Sequence, residues 1–375
     1  MSLRITGRTA TTVAAAVLVL ALAGCGSDDP INHPWRPGGN GAAAPGPAPA
    51  SGLDGALSGA GSSAQESAMQ AWVAGFQAGN PDVTVAYDPV GSGGGRTQFV
   101  EGGVDLAGTD APLDEEELAG AAARCAPGEV LELPLYVSPI AVVFNLPGIE
   151  SLNMSPDTIA RLFTGDITRW DDPAIAADNP DVALPDLPVT PVNRSDESGT
   201  TKNFTDYLAA AAPQSWPYEA SGDWPIPGRQ SAQGTSGVVQ TVTEGHGAVT
   251  YADASKAGAL GTVALQVGPD FVPFSPEAAA ALVDTSPRAE GRPAGSLVVE
   301  LDRTTTAPGV YPLVLVSYTA VCTAYDAPGQ AELVAAFVSY VASEAGQQTA
   351  AQTAGSAPIS EQLRSQVLAL VETIG

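Results

Sequence analysis

The chain has 375 residues, enough for two domains of ordinary size once processing segments are removed. Hydrophobic residues make up 44% of it and aromatics 6%, so its cores are built mostly from Ala, Val and Leu. A formal net charge of −26 argues against nucleic acid or an anionic lipid surface as a partner, and two histidines, His33 and His246, exclude a multi-histidine metal site.

The first residues read as an export signal, 1–24, with Arg4 and Arg8 ahead of an apolar stretch from Val13 to Leu22. That stretch is too short to span a bilayer, which takes roughly 20 apolar residues. It ends in Leu22-Ala23-Gly24-Cys25, the pattern of a bacterial lipoprotein cleavage site. Cleavage there would leave Cys25 as a lipidated N-terminus, and several acyl chains on one residue anchor stably. The mature chain would keep thirteen basic residues against 41 acidic ones, a net charge of −28. Residues 25–51, rich in Gly, Pro and Ala, read as a flexible tether. Two cysteines remain beyond it, Cys125 and Cys322, and in an exported chain they are expected to pair.

The folded body begins near Leu53. Leu57 to Gly61 reads as a strand entering a tight turn, and Met69, Trp72, Val73 and Phe76 give an amphipathic helix. Val83, Val85 and Tyr87 alternate as a strand; Gly91-Ser92-Gly93-Gly94-Gly95 follows, then a short helical stretch with Phe99 and Val100. Val104 to Gly108 reads as a buried strand ending at Thr109-Asp110, and Pro139 to Leu146 as a strongly apolar one. Ser155-Pro156-Asp157 opens a helix, Phe204, Tyr207 and Leu208 place another from Thr200 or Thr201, and residues 331–345 and 359–374 are helical. This alternation predicts an α/β fold.

Three segments set small hydroxylated residues beside glycine just before a helix: Gly61-Ser62-Ser63-Ala64, Gly91-Ser92-Gly93-Gly94 and Ser198-Gly199-Thr200-Thr201. Helix starts expose unpaired N–H groups and partial positive charge, glycine admits close approach, and a hydroxyl adds a donor, so together they suit an anion. Each alone is also an ordinary cap or turn. Arg194 offers a planar fork for two oxygens of a tetrahedral oxyanion, with Asp196 two residues on to hold it. Asp110, at a strand end, is a carboxylate that accepts the proton hydrogenphosphate still carries, whereas sulfate has none to give. A hydrolase would need an activated nucleophile or metals; there is no Gly-x-Ser-x-Gly elbow, His246 sits in a turn-like Gly-His-Gly, and no phosphate-binding loop of the nucleotide type occurs.

In these stretches the chain resembles the phosphate-binding proteins of the bacterial Pst-type ABC importer. The matches are Gly59 to Ser63, Gly91 to Gly94, Gly108 to Pro112, Leu162 to Ile175, Arg194 to Thr200 and Gly247 to Tyr251, in shared order across the expected mature domain. The resemblance implies a two-lobed, hinged fold of the periplasmic-binding-protein kind (class II), closing on one dehydrated phosphate between residues 52–138 plus 310–375 and residues 139–309. It further implies that Ser63, Ala64 through its N–H, Ser92, Asp110, Arg194, Ser198, Gly199 and Thr200 bind the ion, that Asp196 orients Arg194, and that no metal or cofactor takes part. Glu197 stands where a glycine is common in that motif. The implied protein is a monomeric, lipid-anchored, non-enzymatic lipoprotein on the outer face of the cell membrane, handing phosphate to importer permease subunits. A binder of sulfate, molybdate or a phosphonate is the main alternative and a secreted phosphatase the lesser one.

Overall fold

Apolar runs of period two alternate with runs of helical period along most of the chain, and the computed structural model, which describes residues 52–228 and 230–375, follows them. Cys25, the signal and the tether lie outside the described residues. The first stretch is β1 (Gly55–Gly61), α1 (Glu66–Gly79), β2 (Val83–Asp88), α2 (Ser92–Val100), β3 (Leu106–Thr109) and α3 (Glu115–Cys125). A long strand, β4 (Val130–Phe144), leads into β5 (Ser151–Met154), α4 (Pro156–Thr164), α5 (Pro173–Asp178), β6 (Thr190–Arg194), α6 (Gly199–Ala211), β7 (Gln230–Ala232), α7 (Gly234–Glu244) and β8 (Ala248–Asp253). After a 3-10 turn (Ala254–Lys256) come β9 (Gly261–Val267), β10 (Asp270–Val272), α8 (Pro276–Thr285), β11 (Val314–Cys322), α9 (Gln330–Ala342), α10 (Glu344–Ala354) and α11 (Glu361–Val371).

The main hydrogen-bonded path through the strands is β2-β1-β3-β11-β4-β8-β6-β7, with β9 joining β4, β5 and β10 to one side. The path divides within β4. Its residues up to Pro139 pair antiparallel with β11, and those from Ile140 pair antiparallel with β8. One strand therefore belongs to two ladders, and every residue of it is buried. The sequence predicts only its second part, from Pro139, because Glu132 and Pro134 interrupt the apolar run. Both interruptions are accommodated. The register slips opposite Ser317/Tyr318, leaving Leu135 beside Pro134 without a partner, and such a bulge is where a residue with no N–H is tolerated in a sheet interior. Glu132 accepts from the Leu113 amide (2.8 Å), Arg292 and Ser296, so the buried acid is paired.

Two further departures have local causes. Helix α2 runs through Gly93-Gly94-Gly95 instead of starting after them, and α6 starts at Gly199, ahead of the expected threonines. Helix α10 buries only a narrow face of small residues, Gly346, Ala350 and Ala354, and polar contacts add to it. Trp72 Nε1 donates to the Gly346 carbonyl (2.7 Å) and Gln347 Nε2 to that of Leu135 (2.9 Å). Cys125 and Cys322 are bonded, tying the end of α3 to the end of β11.

Where β4 changes partners, the Tyr136 hydroxyl donates to both oxygens of Asp253 (3.2 and 3.1 Å), and the Ser255 amide donates to Oδ1 (2.9 Å). Burial pushes the Asp253 carboxyl up to about 6, despite hydrogen bonds from Ser255, Ser138 and Tyr136 that favour its ionised form. A raised carboxyl stabilises the fold fully below its unfolded value and loses that contribution as pH rises through about 6. Relative to Asp253→Asn, the wild-type chain should lose about 2 kcal/mol of unfolding free energy between pH 4 and pH 7. Urea titrations of both proteins across that range check it, and a pH-independent difference would refute the assignment.

Candidate functional site

The three glycine–hydroxyl segments meet where the ends of β1 and β3 face the starts of α2 and α6. At the end of β1, Gly61 adopts a φ of +142°, and its Cα lies so close to the Gly108 carbonyl that a Cβ would overlap it. The Ser62 amide donates to that carbonyl (2.7 Å), which fixes the turn. Ala64 directs its amide to Ser62 Oγ (3.1 Å). Ser63 Oγ accepts from the Thr235 amide (3.0 Å) and shares a second hydrogen bond with Thr235 Oγ1 (3.0 Å). Ser92 is the first residue of α2, and its Oγ accepts from the Asp110 amide (3.1 Å).

From the other side, Ser198 caps α6 by accepting from the Thr201 amide (3.1 Å). Thr200 Oγ1 donates to Asp110 Oδ2 (3.2 Å), and Asn203 Nδ2 donates to the Asp110 carbonyl (2.7 Å). Gly199 allows this approach: a Cβ there would sit 2.5 Å from Ser92 Oγ and 2.7 Å from Asp110 Cβ. Gly199 and Asp110, from distant parts of the sequence, thus pack without room for one methyl group.

Arg194, the last residue of β6, is 3% exposed. Its Nε donates to Asp196 Oδ1 (2.9 Å) and its Nη2 to Oδ2, a two-point pairing that fixes the plane of the guanidinium. The Gly234 amide also donates to Asp196 (3.0 Å). Burial alone would raise the Asp196 carboxyl, but the Arg194 bonds and charge, with the Gly234 amide, hold it below its usual range. An aromatic wall backs the arginine. Phe204 and Tyr251 stack at 4.2 Å, and the Tyr251 hydroxyl accepts from the Arg194 amide (3.4 Å) and bonds Thr201 (2.8 Å). The stack thus holds the Arg194 backbone, while Asp196 sets the direction of its guanidinium.

Asp110 is 3% exposed. Burial raises its carboxyl above the usual range, against the Ser62 and Ser317 hydroxyls, the Arg194 charge and the Thr200 hydroxyl. Oδ2 is bonded to Thr200, while Oδ1 has no hydrogen-bond partner among the described residues. A buried acceptor left unpaired costs about 1–3 kcal/mol or more, so such a group calls for a donor. The cluster thus offers a guanidinium, several hydroxyls, the free amides of two helix starts and one acceptor in need of a proton. That set suits a tetrahedral oxyanion that still carries hydrogen.

The structure brings Ser63, Ser92, Asp110, Arg194, Ser198, Gly199 and Thr200 together, with Asp196 behind Arg194. Thr235 and Asn203 were not found from sequence. Thr235 follows Gly234 at the start of α7, so it carries the same glycine–hydroxyl–helix signal that marked the other three segments. Asn203 is one helical turn into α6 and has no such signal. An open groove of about 790 Å³ adjoins Asp110 and is lined by Lys202, Arg292 and Arg303, yet these cations are already bonded. Lys202 donates to the Ala220 carbonyl, Arg292 pairs with Glu132, and Arg303 pairs with Asp206. Both guanidinium groups of the groove are therefore paired with acids, and Lys202 is drawn towards a backbone carbonyl.

A model of the PBP superfamily domain matches residues 5–345. Phosphate-binding protein PstS 3 of Mycobacterium tuberculosis is 33% identical over 364 residues, covering 95% of each chain. Phosphate-binding protein PstS2 of Mycobacterium bovis is 34% identical over 330 residues, covering 85% of this chain and 87% of the relative. Among solved structures, the high-affinity periplasmic phosphate-binding protein PfluDING, bound with phosphate, superimposes with a TM-score of 0.68 at 20% identity, covering 84% of this chain and 93% of that one. At that identity the likeness speaks for the fold.

Removing Asp196 leaves the Arg194 guanidinium buried and unpaired. Asp196→Ala is expected to destabilise the ligand-free chain by about 3–5 kcal/mol, read as a lower urea midpoint. A midpoint within error of wild type would show that Arg194 finds another partner.

Proposed function

Because the chain belongs to the phosphate-binding proteins of the PBP superfamily, we propose that it captures inorganic phosphate between two lobes, 52–138 plus 310–375 and 139–309, and delivers it to the permease subunits of an ABC importer. On this reading it works as a monomer outside the cytoplasm, held to the outer face of the cell membrane by lipid on Cys25, and performs no catalysis. The observation that carries it is Asp110 Oδ1, a buried acceptor to which no described residue makes a well-formed hydrogen bond, near the Ser62 and Ser317 hydroxyls and within reach of the Arg194 charge.

Each group then has a role. Arg194, its plane fixed by Asp196, spans two phosphate oxygens. The Gly199 and Thr200 amides have no acceptor inside their own helix and donate to a third oxygen. Ser92 Oγ accepts from the Asp110 amide, so its proton is free to donate to the ligand; Ser63, which accepts from the Thr235 amide, is placed to do the same. Asp110 Oδ1 accepts the proton of hydrogenphosphate. A fully deprotonated sulfate has no hydrogen to offer and meets a carboxylate with repulsion and an unmet acceptor, so the site discriminates by protonation.

Calorimetry of the full chain with phosphate, sulfate and a phosphomonoester in turn tests this. Phosphate is expected to bind at micromolar affinity or tighter, about −8 kcal/mol or better, and the other two weakly or not at all. Arg194→Ala should weaken phosphate binding by about 100-fold or more, the loss of two charge-assisted hydrogen bonds. Asp110→Asn should narrow the preference for phosphate over sulfate by at least about ten-fold, because an amide donates where the carboxylate only accepts. Wild-type affinity in Arg194→Ala, or unaltered selectivity in Asp110→Asn, would sink the site.

A further inference from the structure

Two ion pairs cross from the β1–β3 side of the molecule to the β6–β8 side, outside the anion cluster. In the first, Arg96 Nη2 of α2 meets Glu197 Oε1 at 3.1 Å. Arg96 is anchored on its own side by Glu117 (2.7 Å) and Thr109 (3.0 Å), and its side chain is 9% exposed. The Glu197 carboxylate passes between Gly93 and Gly222, and a Cβ at either would overlap it. In the second pair, Glu66 Oε2, at the start of α1, meets Lys256 Nζ of the 3-10 turn at 3.5 Å, and Ser236 Oγ of α7 donates to the same oxygen (3.4 Å). The two pairs have opposite sense: the β1–β3 side supplies the cation in one and the acid in the other.

We propose that these pairs are clasps that lengthen the stay of the bound anion, a role that rests on the phosphate-binding reading above. Both halves of a chain at −26 repel each other and favour an open cleft. Each clasp places one positive charge against one negative across the cleft, so closure gains attraction where net charge opposes it. The contacts form only when the halves are together, so they slow opening and leave the encounter with the ion almost untouched. Their opposite sense also disfavours closure in a shifted alignment, which would bring like charges together. Glu197 and Lys256 make no hydrogen bond to Ser63, Ser92, Asp110 or Arg194 and act as positioning residues.

Stopped-flow kinetics of the full chain with inorganic phosphate test this. Glu197→Gln and Lys256→Gln should each speed dissociation about two- to five-fold, as expected for a partly exposed pair, with association changed by less than about two-fold. The charge-exchanged double variant Glu66→Lys with Lys256→Glu should recover a slow dissociation rate. Without ligand, small-angle scattering should give a larger radius of gyration for the Glu197→Gln/Lys256→Gln double variant than for wild type. Thermal unfolding identifies a variant that is simply misfolded, and Lys256→Gln, at the rim, stands as the second measure if Glu197→Gln fails. Wild-type dissociation rates in both single variants would overturn the clasps while leaving phosphate binding intact. A wild-type chain that takes up no phosphate would overturn the function instead, and the ligand-free scattering would then judge the clasps by itself.

Discussion

The site turns on the cost of keeping a carboxylate dry. Asp110 is buried, one of its oxygens is bonded to Thr200, and the other meets no donor among the described residues. Water would satisfy that oxygen readily, so burial is tolerable only where neighbours supply compensation and a ligand can complete it. The neighbours come from separate strands and helices. The Asp110 amide is tied to Ser92, its carbonyl to Asn203, and Arg194 lies near enough for its charge to act on the carboxyl. The position of Arg194 depends in turn on Asp196 and on the Phe204–Tyr251 stack. The unmet Asp110 oxygen is thus framed by groups from separate strands and helices, and loosening any of them would let water in.

Strand β4 is shared by the two sides. It gives its first part to β11 and its second part to β8, with the change at Pro139–Ile140. The segment leading into β11 reaches past that change, since the Ile140 amide donates to the Leu313 carbonyl (2.9 Å) and the Tyr311 hydroxyl donates to the Ile140 carbonyl (2.8 Å). Arg303 makes a second link, bonding Asp206 and Asn203 of α6 as well as the carbonyls of Pro312 and Val314 at the entry to β11. Since Asn203 also holds Asp110, the link runs from the entry of β11 to the site.

The helices and strands that rely on a regular apolar stripe were legible from sequence: α1 through Met69, Trp72 and Phe76, and α4 through its Ser155 cap and Pro156. The first part of β4 was not, because a buried Glu132 and Pro134 look like breaks until Arg292 and the bulge are seen. Helix α10 escaped because its buried face is made of small residues, Gly346, Ala350 and Ala354, and its polar contacts to Trp72 and Leu135 come from distant segments. The same division holds at the site. Hydroxyls beside glycine announce themselves, and Arg194 with Asp196 is a local pair. Asn203 and the Arg96–Glu197 contact depend on which side chains meet across the cleft, and a linear pattern does not record that. Glu197, which from sequence alone only disturbs a motif, turns out to have a guanidinium waiting for it.

A chain of net charge −26 with an anion site joins two opposed tendencies, and the difference in their range reconciles them. At physiological salt, exposed charges are screened beyond about 8 Å, so the acids on the outer surface scarcely reach a group as deeply buried as Arg194. Two of the acids that lie close are paired with cations, Asp196 with Arg194 and Glu197 with Arg96. The third, Asp110, is the acceptor left for the ligand, with the Ser62, Ser317 and Thr200 hydroxyls and the Arg194 charge acting in favour of its ionised form. Nothing near the cleft relies on long-range attraction. What remains at short range is a directed set of donors plus one acceptor, and directed groups in a dry enclosure distinguish anions by where their hydrogens are, which net charge cannot do.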